Sequence, residues 1–182
     1  METLKSKPGI GSYIVKYGLL IAVLQIAVVI LFYVLGINPL MSPVNLLHSL
    51  ILYVIIIFIV RMGMVKYRDM DCDGKTSFLP LFLLGFLMLL LSGILQGLFS
   101  YFFYYIFEPG LLTQYTNEVL DSFASKFSGA QLEMIEERLM KNITAEKHIR
   151  QLLISIPVSA AILSALVALF IKKDKTFPVN EA

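Results

Sequence analysis

The chain of 182 residues is 58% hydrophobic and only 15% charged, which excludes an ordinary water-soluble domain. Its net charge of +2 is small and dispersed, so binding to nucleic acid is not expected. The single cysteine, Cys72, excludes an internal disulfide.

Four long apolar runs predict membrane-spanning helices, because about 20 such residues cross roughly 30 Å of hydrocarbon. The predicted spans cover about 17–35, 46–64, 78–107 and 152–171. Lysines precede the first run as in a signal peptide, but the run is too long and no cleavage site follows it. We therefore expect a retained signal anchor and an all-α fold, a bundle of four transmembrane helices.

The second and third spans carry boundary signals of their own. Ser42 followed by Pro43 predicts an N-cap and a first helical residue for the second span. The third span is about ten residues longer than the hydrocarbon requires. Its excess is the aromatic run 99–107, which we expect to form a belt at the level of the lipid headgroups, with core packing as the alternative.

Positive charge predicts the orientation, because Lys and Arg near the ends of spans resist translocation. They lie before span one, between spans two and three, and after span four: Lys5, Lys7, Lys16, Arg61, Lys66, Arg68, Lys75, Lys172, Lys173 and Lys175. The loop between spans one and two is uncharged, and acidic residues outnumber basic ones in the long loop before span four. We expect cytoplasmic termini, an outer segment at about 110–148, and location in the bacterial inner membrane.

The stretch DMDCDGKTS, residues 69–77, begins like a calcium-binding loop. Asp69, Asp71 and Asp73 occupy ligand positions of an EF-hand, but the twelfth position is Pro80, which has no side-chain oxygen. A complete EF-hand is excluded, and weak binding of a divalent cation by the three aspartates remains an alternative.

The same stretch does not fit a phosphate loop, because three carboxylates would repel phosphate and a membrane helix precedes it. The favoured interpretation is a cytoplasmic turn at Asp73 and Gly74, with Thr76 or Ser77 as the N-cap of the third span.

Small and amide side chains predict where the helices pack. Gly93 and Gly97 form a GxxxG pattern, small residues repeat every four positions in the fourth span, and buried amides need hydrogen-bond partners on neighbouring helices. The predicted packing residues are Gly85, Gly93, Gly97, Gln25, Gln96 and Ser159. Packing within one bundle and packing between copies are both open.

The outer segment has two amphipathic stripes, separated near Ser128, which forms a capping-box pattern with Gln131. Thr144 is a candidate cap for a further helix that runs into the fourth span. The apolar stripes must be covered by lipid headgroups, by each other or by a partner. The predicted partner-docking residues are Phe123, Phe127, Ile135 and Leu139.

The sequence contains few groups of residues that could catalyse a reaction, bind a metal or relay charge. No Asp, Glu, Lys or Arg lies in the central part of a predicted span, where ion pumps and proton-coupled transporters carry ionisable groups. A cluster of His48 and His148 at the outer boundary is a remote alternative. We expect no catalytic residue, metal or cofactor.

Three segments carry a family resemblance: VKYRDMDCDGKTSF, FSYFFYYIFEP and AQLEMIEERLMKNITAEKHIR. With them the chain resembles domain-of-unknown-function family 4199, small bacterial proteins with four membrane helices. The resemblance implies no established activity and no assigned site residues.

The predicted function is therefore that of an interaction or assembly module, not an enzyme. Its expected partners are the lipid bilayer and either a second copy or an unidentified membrane or periplasmic protein. The alternative is a subunit of a small-solute transporter or channel.

Overall fold

A computed structural model describes residues 9–38, 43–124 and 126–172, and six α-helices account for most of them. They are α1 (Ile10–Val34), α2 (Pro43–Asp71), α3 (Phe78–Phe102), α4 (Gly110–Ala124), α5 (Gly129–Asn142) and α6 (Ala145–Ile171), with a π-helical turn at Phe103–Phe107. Four stretches are long and apolar enough to cross a membrane: Ile10–Val34, Ser49–Asp71, Phe78–Phe107 and Ala145–Ile171. The predictions of an all-helical fold and of four apolar spans are confirmed.

Three of the helices extend past the ends of the predicted spans into charged sequence. α1 begins at Ile10, before Lys16, α2 continues beyond Lys66 to Asp71, and α6 begins at Ala145, before Arg150. Hydropathy marks where a helix can meet hydrocarbon, whereas the helix itself ends where its backbone hydrogen bonds end. The helices are therefore longer than the apolar runs inside them.

Short-range signals in the sequence correspond to observed helix boundaries. α2 begins at Pro43, while Ser42, the expected N-cap, lies outside the described residues. Between α2 and α3, the Cys72 carbonyl accepts a hydrogen bond from the Lys75 N–H at 3.1 Å. Asp73 and Gly74 between them have φ angles of 52° and 80°, the positive pair of a type I′ turn. The predicted Asp-Gly turn is present.

The chain forms two compact units. In the described residues, the first unit draws on 9–22, 53–93 and 156–172. Its fully buried side chains come from α1, α2, α3 and α6, and the largest are Tyr17, Ile21, Val60, Met64, Leu81, Leu84, Met88 and Ser164. Close van der Waals packing of these side chains stabilises the unit.

The second unit comprises 23–52 and 94–155 in the described ranges. Its core is the cluster of Phe103, Tyr104 and Leu111, against which aromatic and aliphatic residues of α1, α3 and α4 pack. α4 and α5 contact each other as a helical hairpin. This unit therefore contains both the hairpin and the aromatic end of the third span.

Candidate functional site: the hairpin and its two attachments

The π-helical turn forms the base of the hairpin. The Glu108 N–H donates to the Phe103 carbonyl at 2.8 Å, a bond five residues long. Phe103 stacks on Phe99 and on Phe107, with ring centroids 5.3 and 5.7 Å apart. Phe103 is buried, whereas Phe107 is exposed, so the aromatic run divides between the core and the surface. The expected headgroup belt stays a prediction for the exposed rings.

The first attachment joins the end of α1 to the start of α4. The Tyr33 hydroxyl donates to Glu108 Oε2 at 2.9 Å, and the Tyr33 ring meets the edge of Phe103 at 5.3 Å between centroids. Glu108 stands two residues before Gly110, the first residue of α4. A carboxylate there is favoured by the positive end of the helix dipole. Tyr33 therefore holds an acidic group where α4 begins.

A second contact strengthens the first attachment. Asn38, which is buried just after α1, donates from Nδ2 to the Leu111 carbonyl at 3.2 Å. Leu111 is itself part of the buried cluster. The first turn of α4 is thus fixed by a side-chain hydrogen bond and by apolar burial together.

The second attachment lies where α5 passes into α6. The Tyr105 hydroxyl donates to the Ile143 carbonyl at 2.9 Å, directly after α5 ends. Thr144 Oγ1 accepts from the Lys147 N–H at 3.4 Å, as expected of an N-cap of α6. The imidazole of His148 lies 5.5 Å from the Tyr105 ring, and its Nε2 is buried without a partner in the described residues.

Few residues of the hairpin between these attachments are buried. α5 has no buried residue. Three of the predicted docking residues, Phe123, Ile135 and Leu139, are half-buried, and Phe127 is exposed, with its ring 5.5 Å from that of Phe123. The capping-box pattern is seen as a hydrogen bond of 3.0 Å from the Ser128 N–H to Gln131 Oε1.

Two predicted packing glycines, Gly85 and Gly93, lie against neighbouring helices of the first unit. A Cβ atom on Gly85 would lie 3.1 Å from Ser164 Cβ, and one on Gly93 would lie 2.6 Å from Ile156 Cγ2. Gly97, in the second unit, is buried. A Cβ atom on Gly93 would therefore collide with Ile156 of α6, whereas one on Gly85 would collide with the Met64 side chain of α2 and press on Ser164 of α6.

The other predicted packing residues behave differently. Gln96 donates from Nε2 to Ser100 Oγ at 2.8 Å, within its own helix and not to a neighbouring one. Oε1 of Gln25 is buried and has no hydrogen-bond partner in the described residues. Ser159 is exposed, and its hydroxyl donates to the Ile156 carbonyl at 3.1 Å. Each of these two hydrogen bonds lies within a single helix.

Two aspartates of the stretch form side-chain hydrogen bonds. Asp69 accepts from Arg68 Nε at 2.7 Å, and Asp71 Oδ1 lies 3.4 Å from the Tyr13 hydroxyl, which donates to it. Among the described residues, no group of three or more His, Cys, Asp or Glu side chains is arranged to hold a metal ion. The side chain of His48 lies outside the described part, so the structure does not address the pairing with His148.

Sequence reasoning missed the residues that attach the hairpin: Tyr33, Asn38, Tyr105 and Glu108. The available signal was an acidic residue and a proline directly after the aromatic run, EP at 108–109. That pattern indicates the end of a helix, but not which distant tyrosine will donate to the carboxylate.

The family DUF4199, described as proteins of unknown function, matches residues 16–173. No curated protein and no solved structure matches the chain significantly. The match covers most of the first apolar helix, all of the other three, and the hairpin between the third and the fourth. The resemblance inferred from the three sequence segments is therefore confirmed, and the chain belongs to the DUF4199 family of proteins of unknown function.

Proposed function

We propose that this protein is a multi-pass protein of the bacterial cytoplasmic membrane and serves as an interaction module, without enzymatic activity. Its termini and the turn at 72–77 face the cytoplasm, and the α4–α5 hairpin faces outward. The hairpin docks a second copy of the chain or another membrane or periplasmic protein. The proposed orientation follows from the excess of Lys and Arg at one set of helix ends.

The observation that carries the proposal is the contrast between the firmly attached ends of the hairpin and its poorly buried middle. Tyr33, Asn38 and Tyr105 hold the two ends by hydrogen bonds. Between those ends α5 buries no residue, and Met134 and Met140 are exposed. A segment that is held in place but incompletely covered is suited to present a binding surface.

The energetic reason is the apolar area that remains accessible on this segment. Burying one large apolar side chain is worth roughly 1.5–3 kcal/mol. Phe123, Ile135 and Leu139 obtain only part of this from contact between α4 and α5, because each is only partly buried. A partner that covers them would recover the remainder.

The test is a photo-crosslinking amino acid at position 123 in living cells. The docking hypothesis predicts a crosslink to a second protein or to another copy of the chain. Position 114 is the matched control, because Gln114 is exposed on the same helix about 180° away. Crosslinks to lipid alone at position 123, or equal protein crosslinks at both positions, would refute docking.

The substitution Phe123→Glu tests the docking hypothesis independently. It should abolish the crosslinked complex, read out from a crosslinker at position 127, while leaving the helix content of the purified protein unchanged. Gln114→Glu, with the same added charge, should preserve the complex. A loss of helix content in Phe123→Glu would instead place the side chain in the core of the hairpin.

The alternative, a subunit of a small-solute transporter or channel, is supported by one observation. Oε1 of Gln25 is buried inside an apolar helix and has no partner in the described residues. Such an acceptor is costly in hydrocarbon, and water or a polar solute in a pathway would satisfy it. Cysteines at positions 25 and 96 that react with a water-soluble thiol reagent from the aqueous phase would favour this alternative.

A further inference from the structure

Lys16 of α1 and Arg61 of α2 lie in one layer of the first unit. A Cβ atom on Gly18, two residues after Lys16, would lie 3.1 Å from the Met88 carbonyl oxygen. A Cβ atom on Gly85 would lie 3.4 Å from Cγ1 of Val60, which immediately precedes Arg61. At about 1.5 Å per residue, the Cα atoms of Lys16 and Arg61 are therefore within about one helical turn of the segment 85–88 of α3.

The apolar surface of α3 continues well beyond this layer. Gly85 and Met88 come seven and ten residues after Phe78, the first residue of α3, which is about 10–15 Å along the helix. Leu79, in the first turn, is 59% exposed. A bilayer that covers α3 along its length must therefore reach about 10 Å past the backbone level of Lys16 and Arg61.

The apolar surface of α6 also extends past the level of Lys16 and Arg61, as separate contacts with α3 indicate. A Cβ atom on Gly85 would lie 3.1 Å from Ser164 Cβ, and one on Gly93 would lie 2.6 Å from Ile156, so α3 and α6 run antiparallel. From Ser164, α6 stays apolar for seven more residues, about 10 Å, to Ile171. Phe170, in this extension, is 89% exposed.

Lys16 and Arg61 lie on surfaces that otherwise suit lipid. Both side chains are exposed, and neither forms an ion pair within the described residues. The neighbours of Lys16 one turn further along α1 are the exposed Leu19 and Leu20, and one turn before Arg61 comes the exposed Phe58. The Lys16 ammonium lies 5.7 Å from the Tyr17 ring centroid.

We propose that Lys16 and Arg61 bind the headgroup phosphates of anionic phospholipids, which lie deeper in the leaflet beside α1 and α2 than beside α3 and α6. An exposed cation within a lipid-facing surface must reach an anion or water, and the phosphates of the leaflet are the nearest anions. The bilayer adapts to helices of unequal apolar length by thinning locally beside the shorter pair. This inference rests on the membrane insertion in the proposed function, but not on the orientation or on docking by the hairpin.

The test is native mass spectrometry of the full-length protein, delipidated in mild detergent and titrated with phosphatidylglycerol or with phosphatidylcholine. We expect the wild-type protein to prefer phosphatidylglycerol. Lys16→Gln combined with Arg61→Gln should weaken that binding by about fivefold for each cation, or about twenty-five-fold together. The control combines Lys66→Gln and Lys75→Gln, which remove the same charge from exposed positions nearer the turn, and should leave the affinity unchanged.

The proposal would be overturned if the two double variants lost the same affinity for phosphatidylglycerol, or if the wild-type protein did not prefer phosphatidylglycerol to phosphatidylcholine. It would also be overturned if inorganic phosphate competed fully with the lipid, because that would indicate a site for a soluble anion. If the double Gln variant does not fold, Lys16→Arg combined with Arg61→Lys, which keeps both charges, should retain the affinity, and each single Gln variant should lose about fivefold. The crosslinking test of the hairpin is separate, so either hypothesis can fail while the other stands.

Discussion

The guanidinium of Arg68 donates a hydrogen bond from Nη1 to the backbone carbonyl of Ile171, the last residue of α6, over 3.1 Å. The last carbonyls of a helix have no partner within it, and a cation at this end also interacts favourably with the helix dipole. The same side chain pairs through Nε with Asp69 at 2.7 Å. Arg68 thereby joins the end of α2 to the end of α6 in the first unit.

Replacing Arg68 should destabilise the protein. The side chain is only 13% exposed, so Arg68→Gln would remove a hydrogen bond from a charged donor and leave a carbonyl poorly satisfied. We expect a loss of about 1.5–3 kcal/mol in the free energy of unfolding, measured by titration with a denaturing detergent. Lys66→Gln, an exposed change in the same helix, should cost less than about 0.5 kcal/mol. Equal stability of the two variants would contradict the capping role.

Adding one methyl group at Gly85 should also destabilise the protein. In Gly85→Ala the new Cβ would press on Ser164 Cβ and on the Met64 side chain. Overpacking costs about 1–3 kcal/mol, whereas the gain in helix propensity is at most about 1 kcal/mol. Gly129→Ala is the control, because a Cβ there meets nothing within 4 Å. The thermal midpoint of Gly129→Ala should equal or exceed that of the wild-type protein. If the midpoint of Gly85→Ala also did so, the Met64 and Ser164 side chains would be able to move aside at little cost, and the prediction would be wrong.

The hydrogen bond between Tyr33 and Glu108 should couple α1 to the first turn of α4. A double-mutant cycle with Tyr33→Phe and Glu108→Ala isolates this pair, and we expect a coupling energy of about 0.5–3 kcal/mol. In Tyr33→Phe, amide hydrogen exchange should speed up in α4, because the start of that helix loses one of its supports. Additive effects in the cycle, with unchanged exchange in α4, would mean that the bond does not hold the hairpin.

The proposed topology predicts which thiols react from outside the cell. In spheroplasts, Ser128→Cys should be labelled by a membrane-impermeant maleimide, because Ser128 is exposed at the tip of the hairpin. The native Cys72, in the turn before α3, should react only after the membrane is permeabilised. The opposite labelling pattern would reverse the whole orientation.

The aspartate turn should have no structural requirement for a metal. Asp71→Asn combined with Asp73→Asn should give the same thermal midpoint with calcium as with a chelator, because the turn is formed by backbone geometry at Asp73 and Gly74. A calcium-dependent rise in the wild-type midpoint that the double variant lacks would revive the cation hypothesis.

Gly74→Ala should cost about 1 kcal/mol or more in the free energy of unfolding, since the φ of 80° at Gly74 disfavours a side chain.

Much of the fold could be predicted because its signals are local. The Asp-Gly dipeptide specifies a turn with positive φ, Pro43 specifies the first residue of a helix, and Gln131 reaches back to the Ser128 N–H three residues earlier. Each signal depends on atoms within a few residues along the chain. A hydrogen bond from Gln96 to a neighbouring helix was expected, whereas its Nε2 donates to Ser100 of the same helix, because an amide in a helix can bond within its own helix or to a neighbour.

The sequence by itself determined the number of apolar helices, their order and the sites of the turns, since hydropathy and capping act over short separations. Only the tertiary structure decided which residues meet across long separations: Tyr33 with Glu108, Tyr105 with Ile143, and Arg68 with Ile171. It also decided the level at which Lys16 and Arg61 stand against α3, because that level follows from how Gly18, Val60 and Gly85 pack. The depth of a charge in a bilayer is a property of neighbouring helices together, and no single helix contains it.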